Sequence, residues 1–265
     1  MNSIKRVRIT ARLTLQTLHD NATVGMWIIL DTLFASVIAG QLVRHYASFY
    51  QTQASLGDFL IQGAAARIIG LAVAPMIILL GNRAQNMTLT LNRAIREKSF
   101  RAIWLKRNLT SVLICLFASV SFALFLVIQF MLFGSNQISN FTQQSSLFAL
   151  ANNGVVLFSE PAPLMLILVF SAYAFSILIF SSISFNLLNW AGARKWVAFL
   201  VVVLFALVNS GPQSFAGLYS MVSISYDSWL EGSYYFSVPL LALIGCALVF
   251  PGAALSKRKE LFYEE

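Results

Sequence analysis

The chain has 265 residues, 58% of them hydrophobic and only 11% charged, with a mean hydropathy of +0.75. A soluble domain carries about a quarter charged residues, so a water-soluble globule is excluded. The formal net charge is +8; in so apolar a chain this excess points to loops that face a cytoplasm and anionic lipid, not to nucleic acid.

Residues 1–23 read as an amphipathic helix lying at the membrane interface. Ile4, Val7, Ala11, Leu15 and Leu18 follow a three–four spacing, while Lys5, Arg8 and Arg12 cluster on another face. Six apolar runs follow, at 24–43, 62–81, 109–133, 162–190, 196–209 and 236–255. A helix needs roughly 20 residues to cross about 30 Å of hydrocarbon. The pattern therefore predicts an all-α polytopic membrane protein with six transmembrane helices in a single transmembrane domain, 1–265. The first run follows about 23 polar and basic residues and is long enough to span, so no cleavable leader is expected.

Of the 18 Lys and Arg residues, all but Arg44 and Arg67, that is 16, fall on one side of this path. Cytoplasmic loops retain Lys and Arg, so both termini are placed in the cytoplasm. The connection between the second and third runs, 82–108, carries Arg83, Arg93, Arg96, Lys98, Arg101, Lys106 and Arg107 against Glu97 alone. It has no Pro and no Gly, and Met87, Leu91, Ile95, Ile103 and Trp104 give it apolar anchors. It reads as helix, and Phe100 and Trp104, at i and i+4, share a face that could enter a groove on a partner.

The connection 135–161 is rich in Ser, Gln and Asn, and Ser159-Glu160-Pro161 reads as the start of the fourth helix. Arg194 and Lys195 mark a tight turn. The fifth run, 196–209, is too short: its rise is about 21 Å against about 30 Å of hydrocarbon. Asn209-Ser210-Gly211-Pro212 then breaks the helix. Residues 210–235 are expected to hold a short re-entrant or interfacial helix before the last span, with Trp229, Tyr234 and Tyr235 on an aromatic rim.

No G-x-x-x-x-G-K-[ST], H-E-x-x-H or G-x-S-x-G motif occurs. The two histidines, His19 and His45, fall on opposite sides of the predicted membrane, and Cys115 and Cys246 both lie within apolar runs. Neither a metal site nor a catalytic residue set is expected, so the chain does not read as an enzyme. Four N-x-[ST] sequons occur, at Asn21, Asn86, Asn108 and Asn140, and are read as chance.

Asp31 sits inside the first span, where a charged, unpaired carboxyl costs a few kcal/mol; it must face the bundle, water or a partner. It lies about 10 Å from one edge of its run and Arg67 about 8 Å from the opposite edge, which leaves about 12 Å between them. The two are not expected to pair. Ser182, Asn186 and Asn189 share one face of the fourth run. With Asp31 they could line a translocation path, or the Ser and Asn side chains could join helices by hydrogen bonds.

Six spans, an N-terminal interfacial helix at 1–23, a long basic connection at 82–108 and short outer helices at 210–235 together resemble the transmembrane permease subunit of a bacterial ABC-2 (type V) exporter. Many bacterial members carry an acidic residue and a Gly-Thr pair in the coupling loop, followed by basic residues. Here Glu97 stands for the acid, with Arg101, Lys106 and Arg107 after it, and Ser99-Phe100 stands near the place of the Gly-Thr pair. The resemblance implies a bacterial cytoplasmic membrane protein whose coupling helix includes Arg93, Arg96, Glu97, Lys98, Phe100, Arg101 and Trp104. It implies ATP and Mg bound on separate ABC ATPase subunits, none on this chain. A second permease, identical or paralogous, would complete a path for lipids, lipid-linked glycans, peptides or drugs. An ATP-independent channel or ion-coupled carrier, or a non-transporting immunity or sensor subunit, is the alternative.

Overall fold

The computed structural model describes residues 22–65, 67–88, 99–135, 137–209, 224–232 and 234–261. Every regular element among them is helical. In chain order they are α1 (Ala22–Phe49), α2 (Leu56–Gly63), a π-helical segment (Ile68–Val73) leading into α3 (Ala74–Thr88), α4 (Phe100–Phe133), α5 (Leu147–Ala151), α6 (Pro163–Trp190), α7 (Lys195–Asn209), α8 (Tyr226–Glu231), α9 (Tyr234–Ala247) and α10 (Val249–Leu261).

Among the described residues five helical stretches are long and apolar enough to cross a membrane: Thr23–Phe49, Ile68–Asn86, Phe100–Phe133, Pro163–Trp190 and Val238–Ser256. The chain is thus a multi-pass membrane protein. The predicted fifth run is the shorter apolar helix Lys195–Val208, as its length required, so five long spans stand where six were expected. The predicted interfacial helix at 1–23 lies almost wholly outside the described residues, as does 210–223 of the re-entrant region.

Two predicted boundaries move. The second span does not begin at Gln62. Ser55 caps α2: its hydroxyl accepts from the Asp58 N–H while the Asp58 carboxylate accepts from the Ser55 N–H, a closed capping box. This short helix ends at Gly63, with Ala64 as its C-cap, and the spanning helix starts only at Ile68. The third span begins nine residues before Leu109, at Phe100, because the Ser99 hydroxyl accepts from the Ala102 N–H at 3.2 Å and starts the helix there. Arg101, Lys106 and Arg107 therefore ride the first turns of α4, and the predicted 82–108 connection is helical at both its described ends.

The last span is interrupted at Leu248. Pro251 has no N–H for the Ala247 carbonyl and its ring crowds that carbonyl, so α9 ends at Ala247 and α10 begins at Val249. Between α6 and α7, Gly192 takes φ +106°. The Gly192 N–H meets the Asn189 carbonyl at 3.3 Å and the Ala193 N–H meets the Leu188 carbonyl at 3.0 Å, which satisfies the carbonyls left free at the helix end.

One contiguous core joins α1, α2, α3, α4 and α6. Lipid tails are as apolar as leucine, so close packing rather than hydrophobicity holds such helices together. The sequence supplies small residues where backbones meet: Ala35, Ser36 and Ala39 on α1 are fully buried. Gly63 lets α2 reach α4, since a Cβ there would strike Leu126. Phe122 packs against Phe170 with ring centroids 5.4 Å apart, across α4 and α6. The outward faces of α1, α4, α7 and α9 keep large apolar residues such as Phe34, Met131, Leu204 and Leu243 exposed, as lipid contact demands.

The bundle has two unlike ends. One is capped by α2, the 137–161 connection and α8. There the Gly57 N–H meets the Ile138 carbonyl at 3.2 Å and the Ser135 N–H meets the Ala54 carbonyl at 2.9 Å. The predicted helix-starting role of Glu160 does not hold: α6 begins at Pro163. Glu160 instead accepts from the Phe141 N–H at 3.2 Å and from the N–H and hydroxyl of Thr142, tying the connection back on itself. Partial burial pushes its carboxyl up, but the hydrogen bonds from Thr142 and Phe141 help to outweigh it and hold the group below the usual range. The other end carries Arg83, Arg101, Lys106, Arg107, Arg194 and Lys195 and is called the basic end.

Candidate functional site

At the basic end a polar latch joins α3, α4 and α6. Gln85 leaves α3, Arg107, Asn108 and Ser111 leave α4, and Asn186 leaves α6. The Arg107 Nε donates to Gln85 Oε1 at 2.7 Å and to Asn186 Oδ1 at 3.2 Å. Gln85 Nε2 donates to Ser111 Oγ at 2.8 Å and to the Arg107 carbonyl at 3.3 Å. Asn186 Nδ2 donates to Ser111 Oγ at 2.9 Å and to Asn108 Oδ1 at 3.3 Å. One turn deeper, Ser182 Oγ lies 3.4 Å from Cys115 Sγ. The crevice beside these groups, between Ile77, Gly81, Ser111 and Ser182, is too narrow for water.

Of the predicted path residues, Ser182 and Asn186 are buried against α4, and Asn189 is half-buried on the same helix face. The hydrogen bonds of Ser182 and Asn186 run between helices, which is the joining role rather than the path-lining one. Asp31 is half-buried on the flank of α1, and its Oδ2 is buried with no hydrogen-bond partner. Arg67 is exposed, and the two are not brought together.

Of the predicted coupling residues, Arg93, Arg96, Glu97 and Lys98 lie outside the described residues. Arg101 is exposed on the first turn of α4. Phe100 and Trp104 do share a face, but that face turns into this chain, which corrects the expected docking role. Trp104 is fully buried. Its Nε1 donates to the Val249 carbonyl at 2.9 Å, and its ring lies 5.6 Å from that of Trp190. Phe100 meets Trp190 edge-on at 6.4 Å. Gly252 sits against the indole so closely that any Cβ there would overlap it. Trp190 Nε1 donates to Ser256 Oγ at 3.1 Å, so the α4 and α6 tryptophans clasp α10.

A second polar centre, at the capped end, was not anticipated. Asp58 is fully buried on α2. Its Oδ2 accepts from the Ser55 N–H and hydroxyl, both at 2.8 Å, and its Oδ1 accepts from the Tyr226 hydroxyl at 2.9 Å. Burial pushes the Asp58 carboxyl up, against the opposing pull of these hydrogen bonds. Burial and then the adjacent Asp58 push the Tyr226 phenol well up, against a hydrogen bond from Gln62. Tyr226 is wedged by Phe141 and Phe148, with ring centroids at 6.3 and 5.9 Å. In front of it a cavity of about 280 Å³ opens between Tyr46, Tyr50, Gln62, Leu147, Leu150, Ala151 and Tyr226. The S-x-x-D spacing at 55–58 is a readable helix start, but the partner 168 residues away is not.

Among the described residues no group of three or more His, Cys, Asp or Glu could hold a metal ion. Comparison with family models, with curated proteins and with solved structures returns no match.

Proposed function

We propose that the chain is the permease subunit of an ATP-driven exporter of the ABC-2 (type V) class, set in a bacterial cytoplasmic membrane with both termini in the cytoplasm. The observation that carries this reading is the latch at the basic end. The helices that flank the basic connection, α3 and α4, are tied to one another and to α6 through Gln85, Arg107 and Asn186. A push on residues 89–98 would therefore move three helices as one body. The sequence has no phosphate-binding loop of its own, so ATP and Mg belong to a separate ATPase subunit, and a second permease completes the path for an amphipathic substrate.

Trp104 and Phe100 enter this reading as force carriers. They pass motion at the start of α4 to Trp190 and α10 rather than contacting the ATPase. Contact with the ATPase falls to the charged members Arg93, Arg96, Glu97, Lys98 and Arg101.

The test is charge reversal at Arg96, Lys98 and Arg101 together. The variant should insert normally and bind its ATPase more weakly, and ATP hydrolysis should no longer drive transport. A triple variant with unchanged coupling would sink the proposal. The unpartnered Asp31 carboxylate oxygen favours a second reading, an ion-coupled carrier. Transport that persists in liposomes holding this chain alone would establish that reading instead.

A further inference from the structure

We infer that the cavity at the capped end is a binding site for a small organic ammonium group. It is separate from the latch and does not rest on the exporter reading. Three tyrosines, Tyr46, Tyr50 and Tyr226, and the Gln62 amide line the cavity, with Leu147, Leu150 and Ala151 completing the walls. Among the described residues no Lys, Arg or carboxylate lines it.

Three features select a cation. Aromatic faces attract ammonium groups through their quadrupole, and several tyrosines around one small volume form the cage suited to a methylated amine. Behind Tyr226 lies Asp58, fully buried, with three donors on its two oxygens. The donors on these oxygens are all neutral, so no charged group accompanies Asp58 in its hydrogen bonds. An ammonium in the cavity would supply the positive charge from the other side of the Tyr226 phenol. The Tyr226 hydroxyl donates to Asp58 and its oxygen accepts from the Gln62 amide, which leaves the Gln62 side-chain oxygen as an acceptor toward the cavity.

The site is also rigid. Phe141 and Phe148 stack at 4.5 Å and hold Tyr226 edge-on, and the Asp58 bond fixes its hydroxyl. A pre-formed cage loses little freedom when a ligand enters. Size limits the ligand: about 280 Å³ is just below the roughly 300 Å³ at which drug-sized pockets begin. The cavity suits a headgroup or a small arylalkylamine. A choline headgroup and a free amine share this chemistry.

The full chain in dodecyl maltoside, a detergent without ammonium groups, should bind benzyltrimethylammonium saturably by saturation-transfer NMR. Benzyl alcohol, which keeps the ring but not the charge, should bind at least tenfold more weakly. Tyr50 is half-exposed, so Tyr50→Leu should fold and weaken binding about fivefold, whereas Tyr50→Phe keeps the ring and should change it less than twofold. Tyr46→Leu should match Tyr50→Leu. Displacement of the probe by phosphatidylcholine added to the micelles supports the site and names a lipid headgroup as its source; displacement by soluble choline alone supports it and names a free amine. No saturable binding to chain that still unfolds cooperatively, equal binding of benzyl alcohol, or wild-type binding by both leucine variants overturns the inference.

Discussion

Asn186 and Asp58 are each buried polar groups, but they differ in what surrounds them. Asn186 joins a network of neutral amides, a hydroxyl and one guanidinium, and its amide nitrogen serves two donors' worth of bonds to α4. Interhelical hydrogen bonds in membranes average about 0.6 kcal/mol each, and a stranded partner costs about 1 kcal/mol more. Asn186→Leu should therefore lower stability by about 1–2 kcal/mol in detergent unfolding; a neutral result would mean that the latch is ornamental. Asp58 makes stability depend on pH. A carboxyl raised in the folded chain favours folding while protonated, so this contribution is complete below the usual value of 3.8 and is lost as pH climbs through the folded-state value. Thermal unfolding should thus occur at lower temperature as pH rises above 3.8, and Asp58→Asn should flatten that slope. Equal slopes in the two proteins would refute the assignment. The polar face of α6 was legible because Ser182, Asn186 and Asn189 repeat on one side of an otherwise apolar helix. Asp58 was not, because a lone carboxylate in a short polar-flanked stretch looks like a surface residue until Tyr226 is brought to it.

Helix ends and helix contacts show where chain order stops being informative. The shortness of α7 and the turn at Gly192 were readable, since apolar length and a basic pair bounded by glycine are local signals. The early start of α4 was hidden because Arg101, Lys106 and Arg107 read as part of a separate basic helix rather than the first turns of a span, although their stems lie along a helix whose inner face holds Trp104. Spacing at i and i+4 placed Phe100 and Trp104 on one face but could not say whose surface that face meets. The clasp of α10 gives a direct check. Gly252→Ala would put a Cβ into the Trp104 indole, and such overpacking costs about 1–3 kcal/mol. Gly81→Ala meets no atom within 4 Å and should instead stabilise α3 by about 0.5–1 kcal/mol. Measured side by side, the two alanines should shift the unfolding midpoint in opposite directions; a tolerated Gly252→Ala would mean that α10 is not clasped.

For the whole molecule, the two unlike ends make an orientation that labelling can read. Ser145 is exposed at the capped end and Ala191 at the basic end. In a Cys246→Ser background, with Cys115 buried, a cysteine at 145 should react with a membrane-impermeant maleimide in intact cells. A cysteine at 191 should react only after permeabilisation; the reverse pattern would invert the topology. The two ends are also joined through the π-helical segment Ile68–Val73, which sits just after the capped end and leads straight into α3. A π turn holds one residue more than an α turn. Rewound as α-helix, this stretch would advance every later residue by one position, about 100° of azimuth and 1.5 Å of rise. Gln85 would then swing off Arg107 and Ser111. The pitch of six residues just past the capped end would thus set the bearing of a side chain at the far end, as a screw thread cut at one end is read at the other.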